Sequence, residues 1–364
     1  MSFRFCTTAA RPLALGCALL ASPCYAAQAD GLDFSPTANI QYDWARFESD
    51  DVRLRDDDAF RRARVGFKLK GADGRWQLVA EHDLAENTPP DAFVEITPAK
   101  GHSLRIGQFK QPFLLEDAVS DKHALFMEQS LLGAFGISRR IGVEYARQAA
   151  RGTINAAVFD QRLDGSNASR GFTTRATWRL REREGEVLHI GGGLASESPD
   201  NTRAAFSAGP GTALTEVKLA RSGSMTRVDR VNRAALEGLW LRGAWSLQGE
   251  LAQVTARRDG ADFVGNAQSL LATWSPTGDA RSYRRGVVGA PSVDDGPAWE
   301  FALRWSAIDL HDGAIAGGEV ENLGAAATYY ANSYLRVMVN LIHSRRDGAQ
   351  DSPTTAGLRV QVTY

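Results

Sequence analysis

The sequence predicts an all-β protein: a transmembrane, antiparallel, up-and-down β-barrel of about sixteen strands with one connection folded inward as a constriction. Three observations point there. Segments of roughly ten residues alternate apolar and polar side chains from Thr37 to Tyr364, with short Gly-, Asp- and Pro-containing turns between them. One segment, 112–138, abandons that alternation for about twenty-five residues, a length that in a compact domain marks a functional loop. Several polar rows are rich in arginine and lysine, which call for water or anions instead of a packed interior.

The start of the chain reads as an export signal. Arg4 and Arg11 precede the apolar run Leu13 to Leu20, and Cys24-Tyr25-Ala26 supplies small residues before Ala27. Cleavage after Ala26 is expected, with Ala29 as the second site, leaving one barrel domain over 27–364. The apolar run is too short for a spanning helix, and Pro23 before Cys24 argues against lipidation. Cys6, Cys17 and Cys24 all lie in this leader, so the mature chain has no disulfide to form.

The 42 basic and 43 acidic residues give a formal charge of −1, and loss of Arg4 and Arg11 with no acid takes it to about −3. Nothing there suggests nucleic acid, so the placement of charge must decide. No apolar run reaches the length of a membrane helix.

Strand by strand, Thr37 to Phe47 places Ala38, Ile40, Tyr42 and Trp44 on one face and Asn39, Gln41 and Asp43 on the other. Its apolar face suits lipid or a soluble core equally. Phe60 to Lys70 is more telling. Arg62, Arg64, Lys68 and Lys70 share one side, opposite Ala63, Val65, Phe67 and Leu69. Such a row repels itself unless it meets water or anions, so it should face a lumen, although the solvated face of a soluble sheet would look the same. Arg61, at the end of the apolar row, is expected to snorkel to the membrane interface.

Trp76 to Leu84 and Asp91 to Thr97 continue the pattern, and Leu104 to Phe109 leads into the unpatterned segment. Folded inward, that segment would pack its Leu, Phe and Met residues on the wall. Lys110, Lys122, Arg139, Arg140, Glu116, Asp117, Asp121 and Glu128 would then edge a narrowed passage. A loop packed over one end of a soluble β-domain is the competing reading. Alternation resumes at Ile141, and Phe172 to Leu180 again shows a basic polar face with Arg175 and Arg179. Residues 197–232 read as a long external loop with room for a strand-like excursion, and 276–297 as an interruption. The last strand places Leu358, Val360, Val362 and Tyr364 on one face, an aromatic ending of the kind that serves outer-membrane proteins as an assembly signal.

In chain order, FRRARVGFKL from Phe60, LRIGQFKQPFLLE from Leu104, FMEQSLLGAFGISRRIGVEY from Phe126, WSLQGEL from Trp245, PTGDARSY from Pro276 and LRVMVNLIHS from Leu335 resemble the phosphate-selective porin O and P family of Gram-negative outer membranes. The resemblance implies a sixteen-stranded barrel, usually trimeric, with its third external loop inside the pore and basic side chains guiding anions. Carried over by motif, the basic wall positions are Arg61, Arg62, Arg64 and Lys110. Where the family commonly has Arg in Met-Glu-Arg-Ser, this chain has Gln129, and a neutral amide does not replace a bidentate oxyanion donor.

The expected function is a passive outer-membrane channel for small hydrophilic solutes, favouring anions, with phosphate or polyphosphate selectivity in view. The alternatives are a general porin and a closed binding or structural barrel. Arg62, Arg64, Lys68, Lys110, Arg139 and Arg140 are the candidates for the attracting field, with Arg61 beside them; Glu116, Asp117 and Asp121 would oppose it. Expected partners are small anions such as phosphate, lipopolysaccharide and outer-membrane lipid, and two further copies in a homotrimer. No enzyme, cofactor or metal is expected: the six histidines belong to no nucleophile motif, and Asp56-Asp57-Asp58 reads as a solvated loop.

Overall fold

The computed structural model describes residues 31–51, 53–277, 280–291, 293, 296–348 and 351–364. The export signal and both candidate cleavage sites lie outside the described residues.

Alternation along each segment becomes a closed barrel of sixteen antiparallel strands. In order these are β1 (Leu32–Glu48), β2 (Asp57–Gly71), β3 (Trp76–Asp83), β4 (Ala92–Ile96), β5 (His102–Lys110), β6 (Arg139–Gln148), β7 (Gly152–Phe159) and β8 (Ser169–Arg183). They continue as β9 (Glu186–Pro199), β10 (Val228–Arg242), β11 (Trp245–Arg258), β12 (Phe263–Trp274), β13 (Ala298–Asp312), β14 (Ile315–Tyr330), β15 (Leu335–Arg346) and β16 (Thr354–Thr363). Each strand pairs with its sequence neighbours, and β16 closes on β1 with Val362 opposite Ile40 and Leu358 opposite Trp44. The terminal Tyr364 exchanges both backbone hydrogen bonds with Ala38, at 3.0 and 2.9 Å, so the last residue is part of the seam. A bidentate pair from Arg359 to Asp43, at 2.6 and 2.7 Å, ties the same strands inside the barrel.

Burial is inverted relative to a soluble sheet. On β1 Gln41 and Asp43 are fully buried, while Ile40 and Trp44 are each 39% exposed. The polar rows therefore face inward and the apolar rows outward, as lipid contact requires. Aromatic rings gather at two levels of the outer wall. Trp245, Trp274, Phe301 and Trp299 stack in succession at the end with the short turns. Tyr42, Trp44 and Phe60 cluster near the loop end. Between the levels stand exposed Leu303 and Leu323. No helix among the described residues is long and apolar enough to cross a membrane.

Three connections enter the lumen. The first, 111–138, carries a one-turn helix α1 (Leu115–Ala118) and a 3-10 turn Leu131–Phe135. Its Phe113, Leu114, Leu131, Leu132 and Phe135 are buried in one cluster with Val254, Phe263, Ile308 and Leu310 of the wall. That part of the inner wall is apolar because the loop covers it.

The second insertion lies in the stretch 197–232, read as an external loop with room for a strand-like excursion, and it turns inward. β9 runs on to Pro199 and β10 begins at Val228; the intervening chain forms two small ladders, Arg203–Ala204 with Met225–Thr226 and Ser207–Ala208 with Ala220–Arg221. Its Phe206, Val217, Leu219 and Met225 join the cluster around the first insertion, since apolar side chains at that spacing have no other dry surface to meet.

The third comes from the opposite, short-turn end. Within 276–297, Arg281–Arg284 and Val287–Pro291 form a hairpin whose Val288 packs with Leu115 of α1 and with Leu239 and Leu241 of β10. Gly286 at its tip has φ +76, and a Cβ there would lie 2.7 Å from the Thr177 hydroxyl oxygen. Only glycine allows both that backbone conformation and that approach.

Candidate constriction site

The first insertion is stretched across the lumen by wall residues that bind its backbone. α1 has no side-chain cap of its own, and its free N–H groups find the Glu250 carboxylate on β11, with Leu115 N at 2.7 Å and Glu116 N at 2.8 Å. The carboxyl oxygens thereby satisfy orphan donors that a one-turn helix cannot pair itself. On the far wall Asn340 accepts from Met127 N at 2.7 Å. Arg336 donates to the carbonyls of Asp121 and Ala124 at 3.0 and 2.9 Å. Arg304 donates to the Glu128 carbonyl at 3.0 Å and stacks on the Phe126 ring at 3.9 Å. From the hairpin, Arg281 reaches the His123 carbonyl at 2.9 Å.

The loop's own carboxylates meet guanidinium and ammonium groups of the wall. Asp121 receives Arg64 Nη1 at 2.8 Å, Arg62 Nε at 3.2 Å and Lys110 Nζ at 3.3 Å. Glu128 receives Arg61 Nε at 2.7 Å and Arg359 Nη2 at 3.5 Å. Burial pushes the Asp121 carboxyl upward, but Lys110, Arg62, Arg139 and Arg64 overcome it and hold the group well below the usual carboxylate range. Glu128 behaves alike: burial raises it, and Arg61 foremost, with Arg62 and Arg359, brings it below its ordinary value. Burial, assisted by Arg336, Arg281 and Lys122, pushes His123 down to about 4.

A cavity of about 280 Å³ remains between loop, hairpin and wall. Nine basic and five acidic side chains line it, and His123 faces the same space. Net positive charge around this cavity, walled by protein, raises the local concentration of anions.

The sequence candidates fall into three groups. Arg62, Arg64, Lys110, Arg139, Glu116, Asp117 and Asp121 all line the cavity. Arg139 is paired with Asp91 at 3.0 Å. Glu116 and Asp117 bind mainly within the loop: Glu116 accepts from Ser130, and Asp117 accepts from Gln129 at 3.1 Å. Lys68 stays on the lumenal row of β2 but is exposed and outside the cavity, and it lies near Lys122, whose ammonium reaches the Tyr364 carbonyl at 3.4 Å. Arg140 is buried away from the cavity, donating to the Arg139 carbonyl at 2.9 Å among Glu197, Arg233 and Arg162.

Arg61 requires a correction. Instead of ending an outward row, it sits at a bulge: Gln41 pairs with Arg62 and Tyr42 with Phe60, so Arg61 has no partner across the ladder. The extra residue shifts the register and turns the side chain inward to Glu128 and to Glu86, both at 2.7 Å.

Sequence reasoning missed Arg281, Arg304, Arg336 and Arg359. Arg304 and Arg359 are the single arginines in the polar rows of their strands and Arg336 shares its row only with Arg346 at the far end, so each looks like any lumenal residue. Among the described residues no group of three or more His, Cys, Asp or Glu could hold a metal ion.

No curated protein sequence matches the chain significantly. The barrel is similar to OmpT of Vibrio cholerae in its loop L8 deletion form, at 13% identity and TM-score 0.62, covering 92% of this chain and 100% of that one. It is also similar to an anion-selective porin from Comamonas acidovorans, at 11% identity and TM-score 0.59, with 92% and 100% covered. The outer membrane channel DcaP of Acinetobacter baumannii is similar at 10% identity and TM-score 0.58, with 92% and 98% covered. At these identities the likeness speaks to the fold alone. The family profile described as phosphate-selective porin O and P matches residues 34–364, the whole of the barrel from β1 to the terminal tyrosine, and the chain belongs to that family.

Proposed function

We propose that this outer-membrane porin is a diffusion channel biased toward small anions, and that phosphate is one permeant among several. The bias rests on one observation, the excess of nine basic over five acidic side chains around the cavity between loop, hairpin and wall. Arg62, Arg64, Lys110 and Arg139 supply the attracting field from the wall, with Arg61 beside them on β2. Asp121, Glu116 and Asp117 moderate it, so that an anion can leave as well as enter. The family's phosphate preference is weakened here at Gln129, whose amide is engaged with Asp117 and presents no guanidinium to an oxyanion.

Export through a leader cleaved near Ala26, assembly as a homotrimer and an outer face against lipopolysaccharide complete the reading. A trimeric solved relative, OmpT of Vibrio cholerae, is consistent with that assembly. The decisive experiment reconstitutes the purified protein in planar bilayers under a potassium chloride gradient. The reversal potential is expected on the anion side, and phosphate should block chloride current only at high concentration. Cation preference would refute the basic-wall argument, and a protein with no conducting state would be a closed barrel.

A further inference from the structure

We propose that the Asp121 carboxylate is a tethered occupant of the constriction's anion site, and that a permeating small carboxylate binds by taking its place. The proposal rests on the anion-channel reading above and names what regulates that site.

Three cations from two strands converge on this one side chain. Arg62 and Arg64 come from β2 and Lys110 from the end of β5, all within 3.3 Å of Asp121 oxygens. Arg64 is shared with Asp83 at 2.9 Å, so two carboxylates face three cations and the group stays undersaturated. The fit is also imperfect. Arg62 is 9% exposed, and its Nε lies 3.2 Å from Asp121 Oδ2, yet that nitrogen makes no hydrogen bond to any protein atom. A buried donor left unmatched is unfavourable, and a free carboxylate, able to rotate and translate where a tethered one is not, would engage it.

Other carboxylates nearby are committed elsewhere. Asp83 takes Arg64 Nε at 2.9 Å along with the backbone N–H of Ala63. Glu128 is held by Arg61 and Arg359. Asp121 itself makes its strong contacts only with the three cations. Its backbone is fastened separately, through the Arg336 bond to its carbonyl and the Ser120–His123 turn. The side chain can therefore swing aside without unseating the loop. The geometry it leaves behind, two guanidinium edges and an ammonium around a carboxylate-sized space, suits a small carboxylate.

The test measures block of chloride current by acetate and by succinate, with the chloride-to-potassium permeability ratio, in the unaltered protein and in Asp121→Asn and Asp121→Ser. Removing the competitor should lower the half-blocking carboxylate concentration about tenfold, equivalent to about 1.4 kcal/mol, and raise the permeability ratio. Asp73→Asn, in the turn between β2 and β3, should change neither. Two neutral variants guard against an assembly defect in one. If the unaltered channel is anion-selective and both variants keep its half-block, the proposal fails alone. If the unaltered channel lacks anion preference, the reading beneath it fails as well.

Discussion

Glu250→Gln is the sharpest test of how the constriction is held. The carboxylate accepts from Leu115 N and Glu116 N at 2.7 and 2.8 Å, and Leu115 is fully buried. A buried N–H left without its acceptor costs about 1–3 kcal/mol. The amide keeps one acceptor oxygen but turns an NH2 group toward the second N–H, so one bond is lost and a donor faces a donor. A loss of about 3 kcal/mol in the seating of α1 follows, roughly a hundredfold in its detached population. The rest of the loop stays, because Asn340, Arg336 and Arg304 hold its other half. Hydrogen exchange should report the change directly: amides of 115–119 should exchange roughly a hundredfold faster while those of 125–128 stay protected. Single-channel traces should gain brief higher-conductance excursions. Unchanged exchange at 115–119 would show that the carboxylate does not seat the loop.

Three further outcomes are expected. Arg62→Ala or Lys110→Ala should shift the reversal potential toward zero while conductance persists; loss of folding instead would make these residues structural. Asp43→Ala should destabilise the barrel by about 3 kcal/mol, because it leaves the buried Arg359 guanidinium at the β1–β16 seam with only Glu128, at 3.5 Å, and urea unfolding in detergent would measure it. His123 titrates lower in the folded chain, at about 4, than its ordinary 6.5. The unfolded chain therefore binds more protons between those values, and stability falls as pH drops through that window. Asp121 acts in the same direction at lower pH: its depressed carboxyl contributes stability that is lost as pH falls below the ordinary 3.8 toward its folded value. Unfolding midpoints from pH 7 to 4 should therefore decline in the unaltered protein and flatten in His123→Gln.

The faces of the strands were legible before any coordinates, because alternation with period two is a local property of an extended chain. Asn39, Gln41 and Asp43 on one side of β1 and Ile40 and Trp44 on the other needed only their order in the sequence. The long insertion was legible too, since its apolar residues follow no strand period. The lumenal row Arg62, Arg64 and Lys68 followed from like charges on one edge.

Other features depend on groups far apart in sequence. Arg61 faces the lumen because of a one-residue bulge opposite Gln41 and Tyr42, and a register shift leaves no mark in alternation. Asp121 meets Arg64 across a separation of 57 residues, and Arg336 meets Asp121 across 215. Barrel closure brings those positions together, and no periodicity encodes it. The hairpin of 281–291 looked like a broken pattern because its partners, α1 and β10, lie in the lumen it enters. By itself the sequence determined which side of each strand wants water and that one loop had to leave the alternating wall. Only the closed tertiary structure decided which cations share a carboxylate and how many segments fill the lumen, since ion pairing and packing depend on distance through space.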